Sequence, residues 1–253
     1  MKLYAIKGYI QSMYLVESEA GLMLFDSGTR ADVSVVFDYI ENILKRPRVD
    51  LKLVLVSHAH PDHSGGASYF QKAGIPVAGS EKMNEWYKGL SGFATYLVDI
   101  FLSYLVWFRK REKGDKLRNL FFPRKIKFDF LLEGEGSVPL FPDWRYLKTP
   151  GHTLTDLSFY HEKSGKLYVA DNLIGARKKC FAPYPIFSPD DYRKSLESYL
   201  KISPKSLLLA HYSEREFVAS EVEAILENFP GKQRRHLNTL PSILFGFLKR
   251  LFR

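Results

Sequence analysis

Apolar and polar positions alternate through the first 26 residues, and short turns interrupt the alternation. Three strands are therefore predicted, in the segments LYAIKGYI, MYLVES and LMLFD. Apolar residues then recur every three or four positions, which predicts a helix over about 31–45. The next apolar run, Leu51–Val56, is short and continuous, as expected of a buried strand, and it leads directly into a histidine-rich loop.

The second half of the chain repeats this order of short strands followed by helices. Three further strands are predicted, over residues 144–148, 157–162 and 166–170. Ser188, followed by proline, should cap a helix that reaches about Lys201. An apolar strand at 207–210 precedes a capping-box pattern at Ser213, which predicts a helix to about Asn228. This order favours a mixed-sheet sandwich with helices on its outer faces.

The segment over about 81–125 differs from the rest of the chain in its apolar content. Within it, Phe93–Phe108 is a 16-residue run whose one charged residue is Asp99, and the basic sequence RKREK follows. A membrane span needs about 20 apolar residues. The run is therefore predicted to be too short for a span and to form one amphipathic or buried helix.

A basic and apolar tail over 236–253 follows the main domain, which is predicted over 1–235. The apolar residues of the tail fall at helical spacing: Leu240, Ile243, Leu244, Phe247, Leu248 and Leu251. Basic amphipathic helices of this kind lie in the membrane interface. Apolar stripes also pack against a protein's own surface or form a dimer contact, so a homodimer is a second interpretation.

The net charge of +9 is concentrated in two patches. Residues 109–127 carry nine Lys/Arg and two acids, and residues 232–253 carry six Lys/Arg and no acid. Such patches predict a localised partner, either an anionic membrane surface or a nucleic-acid backbone. Nucleic acid is the weaker hypothesis, because Phe and Leu interrupt the patches and no known nucleic-acid-binding module is recognisable.

Cysteine content and the N-terminus both bear on location. The single cysteine, Cys180, excludes an internal disulfide framework and favours a reducing compartment. The first residues lack the apolar core and cleavage site of a secretory signal. The expected location is therefore the cytoplasm, with the inner membrane face as a peripheral site.

Four residues with metal-ligand side chains lie within six positions, directly after the predicted strand Leu51–Val56: His58, His60, Asp62 and His63. Neutral imidazole is the commonest metal ligand in proteins, and carboxylates complete many zinc or iron sites. In an extended loop His58 and His60 point the same way, whereas Asp62 and His63 follow a turn imposed by proline. The loop therefore offers two pairs of ligands, one for each of two adjacent metals.

The sequence SHAHPDHSGG at 57–66 resembles the HxHxDH motif of the metallo-β-lactamase-fold hydrolases. Four other segments resemble further motifs of that family in the same order: FDSG at 25–28, TPGHT at 149–153, YVAD at 168–171 and LAH at 209–211. Five motifs in order make a specific resemblance that extends along most of the chain. The fold it implies is an αββα sandwich, with residues 81–125 as a helical insertion covering the active site as an apolar lid.

The resemblance also implies two divalent metal ions, zinc in the first place with iron or manganese as alternatives. Their ligands would form two groups and a bridge: His58, His60 and His152 for one metal, Asp62, His63 and His211 for the other, and Asp171 between them. Asp62 is the candidate catalytic residue, expected to orient the nucleophile or to carry a proton. Asp26 would hydrogen-bond to a ligand or its loop and fix its orientation. No substrate-binding residue is assigned.

Some residues depart from the family's pattern or match no motif. His152 is followed by Thr-Leu-Thr-Asp rather than the frequent Thr-Pro-Gly, and His211 is followed by Tyr-Ser rather than a glycine turn. Cys180 matches no ligand position, which argues against a β-lactamase that uses cysteine in its second site. The basic run 177–179 predicts either a solvated surface or a contact with an anionic substrate group. Surface positions are expected for two unmatched histidines, His161 and His236.

Several function classes follow from these features. The first is hydrolysis of an ester, thioester, lactone or phosphodiester bond in a small-molecule or lipid-like substrate, met at an anionic membrane surface. A mononuclear iron oxygenase is an alternative, since some relatives of the fold use the same first ligands for redox chemistry. A nuclease is a further alternative. A non-catalytic membrane scaffold is disfavoured, because a complete ligand set would serve no purpose there.

Overall fold

The computed structural model of this chain describes residues 1–110, 120–176, 179–229 and 231. In chain order the described strands are β1 (Lys2–Lys7), β2 (Ser12–Ser18), β3 (Gly21–Phe25), β4 (Leu51–Leu55), β5 (Val77–Gly79), β6 (Phe130–Leu131), β7 (Gly136–Val138), β8 (Phe141–Lys148), β9 (Leu157–His161), β10 (Lys166–Ala170), β11 (Ile174–Gly175), β12 (Cys180–Phe181), β13 (Ser206–Leu209) and β14 (Arg215–Glu216). The described α-helices are α1 (Asp32–Asp38), α2 (Pro61–Ser64), α3 (Ala67–Lys72), α4 (Gly89–Lys110), α5 (Pro189–Ile202) and α6 (Ala219–Asn228). A π-helical turn, Tyr39–Ile43, continues α1, and short 3₁₀ helices cover Arg48–Asp50 and Glu81–Glu85.

Two mixed sheets form the centre of the molecule. The first has the order β1-β2-β3-β4-β5-β6, antiparallel from β1 to β3 and parallel from β3 to β6. The second has the order β14-β13-β10-β9-β8-β7, in which β10 and β13 are parallel and the other neighbours antiparallel. Strands β11 and β12 pair as a separate short hairpin.

Three apolar clusters hold the layers together and confirm the predicted αββα sandwich. One cluster lies between the sheets, where Phe25 of β3 contacts Trp144 of β8 at 4.7 Å and stacks on Phe159 of β9 at 5.3 Å between ring centroids. A second joins the first sheet to α1, α3 and α4, and a third joins the second sheet to α5 and α6. The alternation along the strands produces this arrangement, because successive side chains point to opposite faces of a sheet.

One predicted helix begins later than the capping-box pattern at Ser213 suggests. Helix α6 starts at Ala219, and the residues before it form β14, which pairs with β13. The pairing of Leu207 with Arg215 satisfies backbone groups that a first helical turn would have left unpaired. The predicted start of this helix was therefore wrong, whereas its end at Asn228 is confirmed.

Helix α4 contains the long apolar run and is longer than that run. It spans 22 residues, and its first 18, Gly89–Val106, are long and apolar enough to cross a membrane by length and composition alone. The prediction that this apolar segment is too short to cross a membrane was therefore wrong about its length. Because 44% of that window is buried inside the protein and α4 packs against α2, the helix is a surface layer of this domain.

Candidate metal centre

Five strands of the two sheets end at the same edge of the sandwich, and each is followed by residues singled out in the sequence. Strand β3 leads into Asp26, β4 into the loop of His58, and β8 into the loop of His152. Strands β10 and β13 lead into Asp171 and His211. Because the carboxyl ends of parallel strands meet at one edge, residues far apart in the chain lie together here.

The first group of converging side chains is His58, His60, His152 and Asp171, all buried, with one potential ligand atom from each lying within 4.8 Å of the others. Nδ1 of His60 lies 3.0 Å from Nε2 of His58 and 3.2 Å from Nε2 of His152. Oδ2 of Asp171 lies 3.8 Å from Nε2 of His152. Three ring nitrogens and one carboxylate oxygen therefore face a common point.

The second group is Asp62, His63 and His211. Oδ2 of Asp62 lies 3.7 Å from Nε2 of His63 and 3.5 Å from Nε2 of His211. Oδ1 of Asp171 approaches the same two nitrogens, at 3.3 Å from His63 and 3.1 Å from His211. Asp171 thus presents one oxygen to each group and lies between them.

The chemistry of these atoms fits a pair of divalent metal ions. Nε2 of His63 and Oδ1 of Asp171 are buried and make no hydrogen bond of good geometry within the described residues, although they face each other. Buried polar atoms that converge in this way are unfavourable unless protons or a cation lie between them. Imidazole and carboxylate groups are the ligand set of zinc, iron and manganese sites.

Burial and neighbouring charges set the protonation of these groups. Burial lowers the pKa of His58 well below its usual range, and the charge of His63 lowers it further, so His58 is neutral and able to bind a metal. Burial also opposes protonation of His63 and His211, but nearby carboxylates, above all Asp171, outweigh it and raise both pKa values. Burial opposes ionisation of Asp171, yet His211 and His63 lower its pKa well below the usual range.

Asp26 lies behind the second group and joins three elements. One of its oxygens, Oδ2, lies 2.7 Å from Nδ1 of His63 and accepts hydrogen bonds from the hydroxyls of Ser57 and Tyr168. The other accepts from the backbone N–H of Ser57 at 2.7 Å. A carboxylate at Nδ1 holds the ring of His63 with Nε2 towards Asp62 and Asp171. Asp26 therefore makes the kind of contact that the resemblance implies for it.

The loop that carries His152 is organised by a residue outside the family's pattern. Asp156 accepts hydrogen bonds from the backbone N–H groups of Gly151 and Thr153, at 3.0 and 2.7 Å, and from the Thr153 hydroxyl at 2.7 Å. Nδ1 of His152 lies 3.3 Å from the carbonyl oxygen of Pro185, which leaves Nε2 to face the first group. A carboxylate three residues after Thr153 is a recognisable local signal for such a turn.

Asp99 of α4 reaches the same centre from the insertion, and no motif in the sequence assigns it to the site. Its Oδ2 accepts a hydrogen bond from the hydroxyl of Tyr87 at 2.9 Å and from the indole N–H of Trp86 at 3.3 Å, and lies 3.9 Å from Nε2 of His60. The sequence feature that could have identified Asp99 is a single charge within an apolar helix, because a buried carboxylate requires polar partners.

A cavity of about 270 Å³ opens above the two groups. Its floor includes His60, Asp62, His152, Asp171 and His211. Its walls are largely apolar and come from α4, β11 and two loops: Ile10, Leu102, Val106, Ile174, Pro183 and Tyr184. The carboxylate of Asp99 also lines it. The insertion therefore covers the site and supplies part of the apolar wall.

Other residues singled out in the sequence lie elsewhere. His161 is buried, with Nδ1 2.8 Å from the Ser164 hydroxyl and its ring 5.0 Å from that of Trp144, so its expected surface position was wrong. Cys180 lies in β12 and in neither ligand group, and burial raises its thiol pKa to about 11. Arg177 and Lys178, residues 111–119, His236 and the rest of the tail lie outside the described residues.

Comparisons with known proteins agree with this fold. The sequence model of the metallo-beta-lactamase superfamily matches residues 6–211. A probable metallo-hydrolase of Bacillus subtilis (strain 168), YflN, is 25% identical over an alignment of 179 residues that covers 64% of this chain and 64% of the relative. A hydroxyacylglutathione hydrolase of Idiomarina loihiensis is 25% identical over an alignment of 207 residues that covers 74% of this chain and 66% of the relative. The chain thus spans slightly less than two thirds of these curated relatives.

Solved structures show the same architecture. A metallo-beta-lactamase family protein of Thermus thermophilus superimposes with a TM-score of 0.66 at 22% identity, covering 89% of this chain and 78% of that one. At this identity the likeness concerns the fold.

Proposed function

Since this chain belongs to the metallo-β-lactamase superfamily, we propose that it is a hydrolase whose two ligand groups hold a pair of divalent metal ions. The observation that carries the proposal is Asp171, whose two oxygens face the two groups at 3.1 to 3.8 Å from their nitrogens. A carboxylate in that position suits two ions side by side. Similarity to a probable metallo-hydrolase and a hydroxyacylglutathione hydrolase supports hydrolysis as the reaction class.

Different residues of the chain would have different roles in such a reaction. Bound metal ions would supply an acidified water molecule, with a pKa lowered from about 15.7 towards 7, and positive charge for the developing oxyanion. Asp62 lines both the second group and the cavity, so it can orient the attacking water and carry its proton to the leaving group. Asp171 faces His63 and His211 with its Oδ1 and would bind metal together with them.

The cavity favours a substrate with an apolar group next to the bond that is cleaved. Carbonyl and phosphoryl esters both place an oxygen where charge develops, so an ester, thioester, lactone or phosphodiester bond fits the floor of the cavity. Leu102 and Val106 of α4, with Ile174, give the upper wall its apolar character. An acyl or lipid-like portion of the substrate would bury its surface there, at about 25 cal/mol per Å².

Metal analysis with a substrate screen tests the proposal. Protein purified without added metals is expected to contain about two metal ions per chain and to hydrolyse at least one of a panel of thioesters, lactones and phosphodiesters. Asp171→Ala should abolish hydrolysis and lower the metal content. Asp143→Ala, an exposed carboxylate of β8 paired with Lys163, is the matched control and should retain both.

Three results would overturn this assignment. Full hydrolysis by the Asp171→Ala variant would show that the reaction does not use the two groups. One iron per chain, with oxygen uptake in place of hydrolysis, would support an iron oxygenase instead. Single-stranded and double-stranded nucleic acids belong in the panel, and cleavage restricted to them would support a nuclease.

We further propose that an anionic membrane surface is where the protein meets its substrate. Helix α4 exposes an apolar face at helical spacing: Leu90, Phe93, Leu97 and Phe101, with 38 to 91% of each residue accessible. Arg124 lies over the ring of Phe93 at 4.9 Å, and Lys125 and Lys127 are exposed nearby in the chain. Apolar side chains beside basic ones match the boundary between acyl chains and anionic headgroups.

The charge of the chain favours a membrane, rather than a second copy of the chain or its own tail, as the partner of the exposed face of α4. The basic segments 109–127 and 232–253 carry the same sign, so a second copy or the tail would bring like charges together. Full-length protein should co-sediment with phosphatidylglycerol vesicles and less with phosphatidylcholine vesicles, and Phe93→Ser with Leu97→Ser should weaken that binding several-fold. Ile43→Ser with Val49→Ser, which alters exposed apolar residues elsewhere, is the control.

The remaining outcomes separate the alternatives. Unchanged vesicle binding after the double substitution in α4, with loss on deletion of residues 238–253, would assign the anchor to the tail. Dimerisation that the α4 substitutions abolish would assign the face to a second copy. Either result would overturn the proposed role of α4.

A further inference from the structure

We propose that Asp99 is a positioning residue that orients His60 for metal binding, so that the lid helix α4 forms part of the metal centre. This inference rests on the proposed function, because it assigns His60 to the first metal ion. It concerns a residue of the insertion, outside the segments that resemble the family's motifs. Asp99 lines the cavity, but in this scheme it acts through His60 and binds neither substrate nor metal.

The two ring nitrogens of His60 face opposite environments. Nδ1 faces the first group, at 3.0 and 3.2 Å from the nitrogens of His58 and His152. Nε2 faces α4 and lies 3.9 Å from Oδ2 of Asp99. Both side chains are buried. The orientation of the ring therefore decides which nitrogen can bind a metal.

A carboxylate beside Nε2 favours the tautomer with its hydrogen on that nitrogen. That tautomer leaves a lone pair on Nδ1, which faces the other ligands. At 3.9 Å the contact is electrostatic rather than a direct hydrogen bond, and burial preserves it because the local dielectric is low. Rotation of the ring by a half turn would bring a lone pair towards the carboxylate and would be disfavoured.

Asp99 is held in place for this role by two aromatic residues. The Tyr87 hydroxyl donates to its Oδ2 at 2.9 Å, and the Trp86 indole N–H donates to the same oxygen at 3.3 Å. The indole ring of Trp86 also lies edge-on to the ring of His60, with 6.1 Å between centroids. Donors from the segment before α4 therefore fix the carboxylate that faces His60.

A purely structural role for Asp99 is the rival explanation, since its carboxylate also satisfies Tyr87 and Trp86. The two explanations differ in what Asp99→Asn should do. The asparagine has the same shape and keeps an oxygen for the two donors, so a structural role predicts nearly unchanged metal binding. Positioning requires the negative charge beside Nε2, so the same variant should lose metal affinity in the first group.

The experiment measures metal affinity by competition with a chromophoric chelator, together with the visible spectrum of the cobalt-substituted protein. Asp99→Asn should weaken one of the two bound ions by about 10- to 100-fold, leave the other near its original affinity and change the cobalt spectrum. Thr95→Val is the matched control, because Thr95 lies one turn earlier on α4 and donates to the Ser91 carbonyl. It should bind both ions normally.

A double-mutant cycle adds a measurement, the coupling between His60 and Asp99 in metal affinity, that a purely structural role would not produce. In a His60→Ala background, Asp99→Asn should have no further effect on metal affinity, because the ring that it orients is absent. Equal losses in both backgrounds would overturn the proposal, as would normal affinity and an unchanged cobalt spectrum in Asp99→Asn. Failure of the unaltered protein to bind metal would overturn the proposed function itself, whereas normal metal binding by Asp99→Asn would overturn this inference alone.

Discussion

Nδ1 of His63 lies 2.7 Å from Oδ2 of Asp26, and both side chains are completely buried. The two residues are 37 positions apart. Asp26 directly follows β3, and His63 lies in α2, shortly after the adjacent parallel strand β4. Asp26 also accepts hydrogen bonds from Ser57 and Tyr168, so one carboxylate connects the two sheets beneath the ligand groups.

Removing this carboxylate is expected to weaken both folding and metal binding. Asp26→Ala should lower the free energy of unfolding by about 3 to 5 kcal/mol, because it leaves buried donors without their acceptor. It should also reduce metal affinity by about 10- to 100-fold, because the ring of His63 loses its orientation. Urea unfolding and chelator competition measure the two effects. Asp38→Ala, which removes an exposed carboxylate, should change neither, and an unaltered affinity in Asp26→Ala would contradict the expected role.

Asp156 should stabilise the loop that carries His152. Asp156→Ala removes the acceptor of three hydrogen bonds to Gly151 and Thr153, two of them from backbone N–H groups. We expect a loss of about 3 kcal/mol in the free energy of unfolding, since each buried unsatisfied donor costs about 1 to 3 kcal/mol. Metal content should fall as well. Glu162→Ala, in an exposed turn, is the control, and wild-type stability of the Asp156→Ala variant would exclude this account of the loop.

Gly151 lies where the same loop passes α5. Its φ is +142°, and a Cβ there would lie 2.4 Å from Cα of Tyr192. Gly151→Ala should therefore destabilise the protein by about 3 to 5 kcal/mol, because backbone strain and overpacking both contribute. Gly134 also has a positive φ, +68°, but a Cβ there would meet open space. Gly134→Ala should therefore lower the free energy of unfolding by only about 1 kcal/mol. Thermal unfolding of both variants measures the difference, and equal losses would refute the clash.

Metal binding to the metal-free protein should release protons. Burial opposes protonation of His63 and His211, but Asp171 and its neighbours raise the pKa of His63 well above, and that of His211 above, the usual 6.5 or so, so His63 above all retains a proton near neutral pH. A ligand nitrogen must lose its proton, and metal affinity should therefore increase as pH rises. Calorimetric titration in buffers of different ionisation enthalpy measures the release. A value of zero at pH 7 would contradict these pKa shifts.

The same shifts set how the stability of the metal-free protein depends on pH. A histidine with a raised pKa in the folded state contributes stability that is complete below its unfolded pKa, about 6.5, and is lost as pH rises through the folded value. The metal-free protein should therefore become less stable above neutral pH, whereas the metal-loaded protein should not. Chemical unfolding of both forms between pH 6 and 9 measures this, and parallel curves would contradict it.

Local sequence determined most of the secondary structure and the position of each functional loop. Period-two and period-3.6 patterns marked the strands from β1 to β4 and from β8 to β10 and the helices α1 and α5, because these patterns depend on neighbouring residues alone. The five motifs at 25–28, 57–66, 149–153, 168–171 and 209–211 indicated the family and the loops that converge. The metal-ligand roles of those residues remain predictions.

Only the tertiary structure decided the features that depend on distant partners. Residues 215–216 form a strand rather than the start of α6, because β13 offers them backbone hydrogen bonds. His161 is buried because Trp144, on the neighbouring strand, covers it. Asp99 reaches His60 because α4 folds back over the strand ends and brings its carboxylate to the ligand loop. No local pattern encodes such a contact, since it forms only when separate elements pack against one another.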